Sequence, residues 1–144
     1  MEIKVVNKNP YGLPKYQTEG SAGFDLIANL KEPLTINPNT PTLVPTGLFV
    51  EIPVGYELQV RPRSGLALKK GLSVLNTPGT VDSDYRGEVG VILINVLDVP
   101  VVIEPGDRIA QGVIKKIEQV TFTEVEELSE TDRGAGGFGH SGNK

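Results

Sequence analysis

Apolar residues in this chain come in short runs. Stretches rich in Val, Ile, Leu and Thr cover residues 3–6, 42–50, 56–60, 90–96 and 108–114, with turn-forming residues between them. Short runs at regular spacing, separated by turn signals, predict an all-β sandwich or barrel. Seventeen Gly and eleven Pro punctuate the 144 residues and leave little room for long helices. Pro-Gly and Pro-x-Gly corners at Pro53/Gly55, Pro78-Gly79 and Pro105-Gly106 suit strand-to-strand turns. One stretch differs. Ser64-Gly65-Leu66-Ala67-Leu68-Lys69-Lys70-Gly71 offers a capping Ser, good helix formers, two basic residues and a terminal Gly, which predicts one short helix near 64–70. From about Ser129 the apolar pattern stops. The chain therefore divides into a β-domain over 1–128 and a Gly-rich arm over 129–144, expected to be mobile until something orders it.

Bulk properties exclude more than they identify. A chain of this length forms one domain and can bury roughly 70% of its unfolded surface. With 38% hydrophobic and 22% charged residues it reads as globular, and a net charge of −4 offers no general attraction to nucleic acid or acidic membranes. An anionic ligand must be met by a few placed cations. The absence of Cys excludes disulfides, thiolate nucleophiles and Cys-based metal sites, and His140, the one histidine, cannot build a zinc site alone. The longest apolar stretch, 89–97, is interrupted by Gly90 and Asn95 and is too short to span a bilayer. These features imply an intracellular, cytoplasmic protein.

Several segments carry candidate chemistry. Arg61-Pro62-Arg63-Ser64-Gly65 places two guanidinium groups and a hydroxyl where a strand gives way to a helix, a setting for phosphate oxygens; its bland reading is a solvated turn. Residues 75–87 resemble a long hairpin with an acid-rich loop, in which Asp82 or Asp84 could act as a general base or simply be a surface turn residue. Ala22-Gly23-Phe24-Asp25-Leu26 sets an acid inside an apolar strand, where a charge needs a partner. Arg108, ahead of a strand that contains Gln111, reads first as half of a salt bridge. The tail matches G-x-G-x-x-G at Gly134, Gly136 and Gly139, yet only five residues follow, so no helix can receive a pyrophosphate. An Arg and a Phe set among glycines instead suit a lid ordered by its ligand.

Five segments in this order closely resemble the five motifs of the homotrimeric dUTPase family. They are Ala22-Gly23-Phe24-Asp25-Leu26, Arg63-Ser64-Gly65-Leu66, residues 79–87 (with Asp82-Ser83-Asp84-Tyr85-Arg86-Gly87), Arg108-Ile109-Ala110-Gln111, and the arm from Arg133 to Gly139. The resemblance implies a distorted jelly-roll β-barrel, three copies around a threefold axis, and active sites shared between copies. It implies Mg²⁺-dependent hydrolysis of dUTP at the α-phosphorus to dUMP and pyrophosphate. Such a reaction limits uracil incorporation into DNA and supplies dUMP for dTMP synthesis.

By the same resemblance, Asp82 holds and deprotonates the attacking water. Asn76, with the backbone around Gly79 and Val81, reads uracil, and Tyr85 lies against the deoxyribose. Arg63, Ser64, Gly65 and Gln111 meet the phosphate chain. Asp25 contacts the water shell of the metal, which is otherwise held by the substrate phosphates. Arg133 clamps the terminal phosphate while Phe138 and Gly139 close over the base. His140 stands where many members have Ser or Thr, and Ala67 where many have Gly. Within this fold a dCTP deaminase or a bifunctional deaminase is the nearest rival. A catalytically silent nucleotide-binding regulator and a plain structural β-domain are the readings from other classes.

Overall fold

The computed structural model describes residues 1–143, which form ten strands and one helix. The strands are β1 (Lys4–Asn7), β2 (Phe24–Ile27), β3 (Leu34–Ile36), β4 (Thr42–Glu51), β5 (Tyr56–Arg61), β6 (Leu72–Val74), β7 (Gly79–Val81), β8 (Glu88–Asn95), β9 (Val101–Ile103) and β10 (Arg108–Lys116); the helix α1 (Ser64–Lys70) follows β5. Two four-stranded sheets, ordered β1-β4-β8-β6 and β2-β10-β5-β7, face each other, and β3 pairs with β9 in a small third sheet. All strand pairs are antiparallel. Neighbours in each sheet are distant in sequence, and both sheets feed one buried cluster. This is the all-β jelly-roll architecture expected from the short apolar runs. Among the described residues no helix is long and apolar enough to cross a membrane.

The alternation of β8 shows how the core is filled. Val89, Val91 and Leu93 point inward and are at most 1% exposed, while Gly90, Ile92 and Ile94 face outward, the period of two that a pleated strand imposes. Leu26, Ile36, Leu58 and Ile109 meet them from the other elements. Asn95 ends the strand fully buried and is satisfied: its amide donates to the carbonyls of Ile36 (3.1 Å) and Val99 (2.7 Å), and its Oδ1 accepts the Leu97 N–H (3.0 Å). A buried amide without those partners would be costly, so this residue fixes where β8 stops. Leu58 is fully buried at the centre of the cluster. Leu58→Ala is expected to destabilise the fold by about 2–5 kcal/mol, read as a lower midpoint in chemical denaturation.

Turn chemistry follows the glycines where the backbone needs them. Gly55 (φ 89°) and Gly106 (φ 85°) close the corners between β4 and β5 and between β9 and β10. Gly71 (φ 61°) ends α1 in the left-handed conformation, its N–H donating to the Ala67 carbonyl at 3.2 Å, with Lys69 and Lys70 in the last turn as expected.

Two expectations from the sequence are corrected. Ser64 is the first helical residue and caps nothing; Arg63 occupies the N-cap position with extended backbone, and no side chain caps the helix. The extended backbone that Pro62 imposes on its predecessor, and the departure of β5 at Arg61, shift the boundary one residue earlier than the serine suggested. Residues 75–87 are not a hairpin. β6 joins β8 in one sheet and β7 joins β5 in the other, so the turn at 75–78 is a crossover between sheets. Partner choice between sheets is a long-range packing decision that the local turn signal does not encode.

Candidate active site

Three strands build the first half of the site. Asp25 on β2, Gln111 on β10 and Arg61 on β5 stand directly opposite one another and form a polar row across the sheet. A bulge in β10 between Arg108 and Ala110 lets Ile109 and Ala110 both enter the core while Gln111 keeps its place in that row. Gly23 makes room for it, since a Cβ there would run into the Gln111 side-chain oxygen. Gln111 Nε2 donates to the Pro62 carbonyl at 3.0 Å, tying β10 to the loop that enters α1.

The acid expected to need a partner has three. Asp25 is 8% exposed, and its Oδ1 lies 3.3 Å from Arg63 Nε. Its Oδ2 lies 3.3 Å from an Arg108 guanidinium nitrogen and accepts the Gln17 amide at 2.7 Å. Arg63 also donates to the Arg108 carbonyl at 3.1 Å. The salt-bridge reading of Arg108 therefore holds, and Arg63 shares the same carboxylate. Arg61 is committed elsewhere, donating through two nitrogens to Gln59, which in turn donates to Glu57 at 2.7 Å. Ser64, Gln111, Arg61 and Gln59 line an open cleft of about 420 Å³ together with Thr77 and Pro78 of the crossover turn. Gly65 sits beside Ser64 with open space around it. Asn76 is exposed on the same turn, its amide 3.2 Å from where a Gly79 Cβ would project.

A second cleft, of about 480 Å³, lies against the end of β7. It is lined by Val81, Asp82 and Tyr85 with Leu43, Pro45, Gly90 and Ile92. Here the loop is stiff: Tyr85 donates its N–H to the Asp82 carbonyl (3.2 Å) and its hydroxyl to the Glu88 carbonyl (2.9 Å), while Arg86 donates to the Ser83 carbonyl (2.7 Å). The Tyr85 ring lies across Gly87, where any Cβ would collide with it. Asp82 is exposed, and among the described residues no side chain bonds to its carboxylate. Asp25 is braced; Asp82 is free.

The arm makes no such contacts. Among the described residues no strand or helix is formed after Lys116, and residues 118–143 are exposed apart from Gly136. Every hydrogen bond that residues 131–142 make among the described residues stays inside that segment, including Arg133 Nε to the Gly136 carbonyl at 2.7 Å. Phe138 is fully exposed with φ 51°, Gly139 has φ 93°, and the His140 ring packs on Gly136. Within one chain, then, Asp25, Arg63, Ser64 and Gln111 come together, Val81, Asp82 and Tyr85 form a second group, and Arg133 and Phe138 join neither. Among the described residues no group of three His, Cys, Asp or Glu could hold a metal by itself. The residue that sequence motifs miss is Gln17, whose amide makes the shortest contact to Asp25. It lies outside every motif, and no local signal announces it.

These features define a class: an all-β jelly-roll protein in which two arginines share one buried carboxylate while a second carboxylate stands exposed. Comparison with known proteins makes it specific. The family model described as dUTPase matches residues 9–142. The deoxyuridine 5'-triphosphate nucleotidohydrolase of Fusobacterium nucleatum is 58% identical over 142 residues, covering 99% of this chain and 97% of that protein. The one from Chlamydia pneumoniae is 60% identical over 131 residues, 90% of each. Among solved structures, the Staphylococcus bacteriophage 80alpha dUTPase with dUPNHPP superposes with a TM-score of 0.86 at 26% identity, covering 98% of both chains. The chain belongs to the dUTPase family.

Proposed function

We propose that this protein hydrolyses dUTP at the α-phosphorus to dUMP and pyrophosphate, at sites shared between three copies of the chain. The observation that carries the reading is the contrast between its two carboxylates. Asp25 is committed to two arginines, whereas Asp82 stands uncommitted on a stiff loop beside Tyr85. Charge neutralisation and proton transfer are thereby assigned to different residues. The high identity to relatives named as deoxyuridine 5'-triphosphate nucleotidohydrolases supports the choice of substrate.

Each residue has a task that its surroundings suit. A triphosphate repels an oxygen nucleophile, so cations must offset its charge before attack can occur. Arg63, braced on Asp25, meets the phosphate chain with Ser64, Gly65 and Gln111, and Arg133 reaches it when the arm closes. Asp82 accepts a hydrogen bond from the attacking water and takes its proton. As a weak base, it depends on placement for most of its effect. Asn76 and the backbone from Gly79 to Val81 read the edge of uracil, with Tyr85 against the deoxyribose and Phe138 and Gly139 over the base. A pocket that hydrogen-bonds one base edge leaves buried groups unpaired with another, a penalty of about 10⁴-fold or more.

The residues fit Mg²⁺ carried in on the substrate. Mg²⁺ keeps several waters and needs few protein ligands. Bound to phosphate oxygens, it would neutralise charge on the triphosphate. Asp25 has three of roughly four acceptor positions filled, which leaves one for a water of the metal's shell.

Sharing between copies is supported by the separation of the two clefts and by apolar surface left uncovered. Leu43 is 66% exposed directly opposite the outward Ile92 on the β4–β8 face. Val120, Phe122, Val125 and Leu128, ahead of the arm, are exposed as well. A neighbouring copy would cover both. The test is to incubate the protein with dUTP, dCTP, dTTP and UTP plus Mg²⁺ and follow pyrophosphate and ammonia. Pyrophosphate from dUTP alone is expected. Ammonia from dCTP would move the protein to the deaminase branch, and no turnover of any nucleotide would make it a binding protein.

A further inference from the structure

Residues 15–21 run as a strap along the free edge of β2. The Asp25 N–H donates to the Lys15 carbonyl at 3.3 Å, and the Tyr16 ring meets Phe24 edge-on, with centroids 5.7 Å apart at 86°. The strap then turns sharply. Ser21 N–H donates to the Thr18 carbonyl at 3.1 Å, Thr18 N–H donates to Ser21 Oγ at 3.1 Å, and the two hydroxyls lie 2.8 Å apart. Anchored on both sides, Gln17 presents its amide to Asp25 Oδ2 at 2.7 Å, closer than either arginine.

We propose that Gln17 is a positioning residue for dUTP hydrolysis: by holding Asp25 Oδ2 it fixes the carboxylate on which Arg63 and Arg108 are braced. The proposal rests on the hydrolase reading above. A carboxylate faced by two guanidinium groups tends to form a two-bond pair with one of them, which consumes donors on that arginine. Gln17 fills one acceptor position of Oδ2, so Arg108 is held to a single contact and Arg63 to the other oxygen. The remaining N–H groups of Arg63 stay available to the triphosphate. Because the amide is neutral, it achieves this without cancelling the positive charge that the ligand requires. Its side chain acts through Asp25 and needs no contact with the substrate.

The variant that separates these roles is Gln17→Met, which keeps the length and removes the amide. Gln17 is exposed, so the variant is expected to melt with the wild type. KM for dUTP is expected to rise about threefold to tenfold, the span that one lost hydrogen bond produces, with kcat nearly unchanged. In an Asp25→Ala background, which removes every acceptor at that position, the same substitution is expected to change nothing further. Unchanged KM in Gln17→Met overturns the proposal, as does an undiminished effect in the Asp25→Ala background. Should Asp25→Ala fail to fold, Gln17→Glu takes its place. A second carboxylate would repel Asp25 and draw Arg108, so KM must exceed that of Gln17→Met, and wild-type KM there overturns the proposal. The wild type is assayed alongside. If it does not hydrolyse dUTP, the hydrolase reading fails; if it does and Gln17→Met matches it, only the role of Gln17 fails.

Discussion

Asp82→Asn is expected to lower kcat for dUTP by about 10²- to 10⁴-fold, the usual contribution of a positioned general base. KM should move little, because the amide keeps the shape of the side chain and loses only its capacity to take a proton. Stability should be unchanged, since Asp82 is exposed and no side chain among the described residues bonds to its carboxylate. Steady-state kinetics with a thermal melt check all three points. A variant with wild-type kcat would remove Asp82 from the chemistry and leave the loop only a binding role.

Deleting residues 133–144 is expected to leave the fold and the assembly intact and to remove most of the turnover. The barrel does not notice the arm: among the described residues the hydrogen bonds of residues 131–142 are all internal to it, and Phe138 is fully exposed. Its Arg and Phe can act only when a ligand, or a neighbouring copy, gives them something to close on. Mixing extends the test. Chains carrying Asp82→Asn and chains lacking the arm should each be nearly inactive alone. Co-expressed, they should regain activity, because a shared site can take its carboxylate from one chain and its arm from another. No recovery would argue that each chain completes its own site. Unchanged kcat in the truncated protein would refute the lid.

The long strands were legible in the sequence, as were the four-residue β1 within the run at 3–6 and β2 around Asp25; strands of three residues were not. Runs at 42–50, 56–60 and 108–114 correspond to β4, β5 and β10 with the same first residue, because each is long enough to show its pattern. β3, β7 and β9 have three residues each, too few for any periodicity, and their partners lie far away in sequence. The Gly at the end of α1 was readable because a left-handed C-terminus nearly demands it; the Ser at its start was not, because Pro62 and the end of β5 decide where the helix begins. In the site, a charge at position 25 inside an apolar strand announced that partners must exist. Their identity follows from the pairing of β2 with β10 and the approach of the α1 loop. Gln17 left no trace, since a polar residue in a polar turn is what any exposed loop contains.

The most direct test of the central claim is to hydrolyse dUTP in ¹⁸O-enriched water and weigh both products. Attack at the α-phosphorus places the heavy oxygen in dUMP and leaves pyrophosphate unlabelled. Label in the pyrophosphate, release of inorganic phosphate in its stead, or no hydrolysis of dUTP at all would contradict the account.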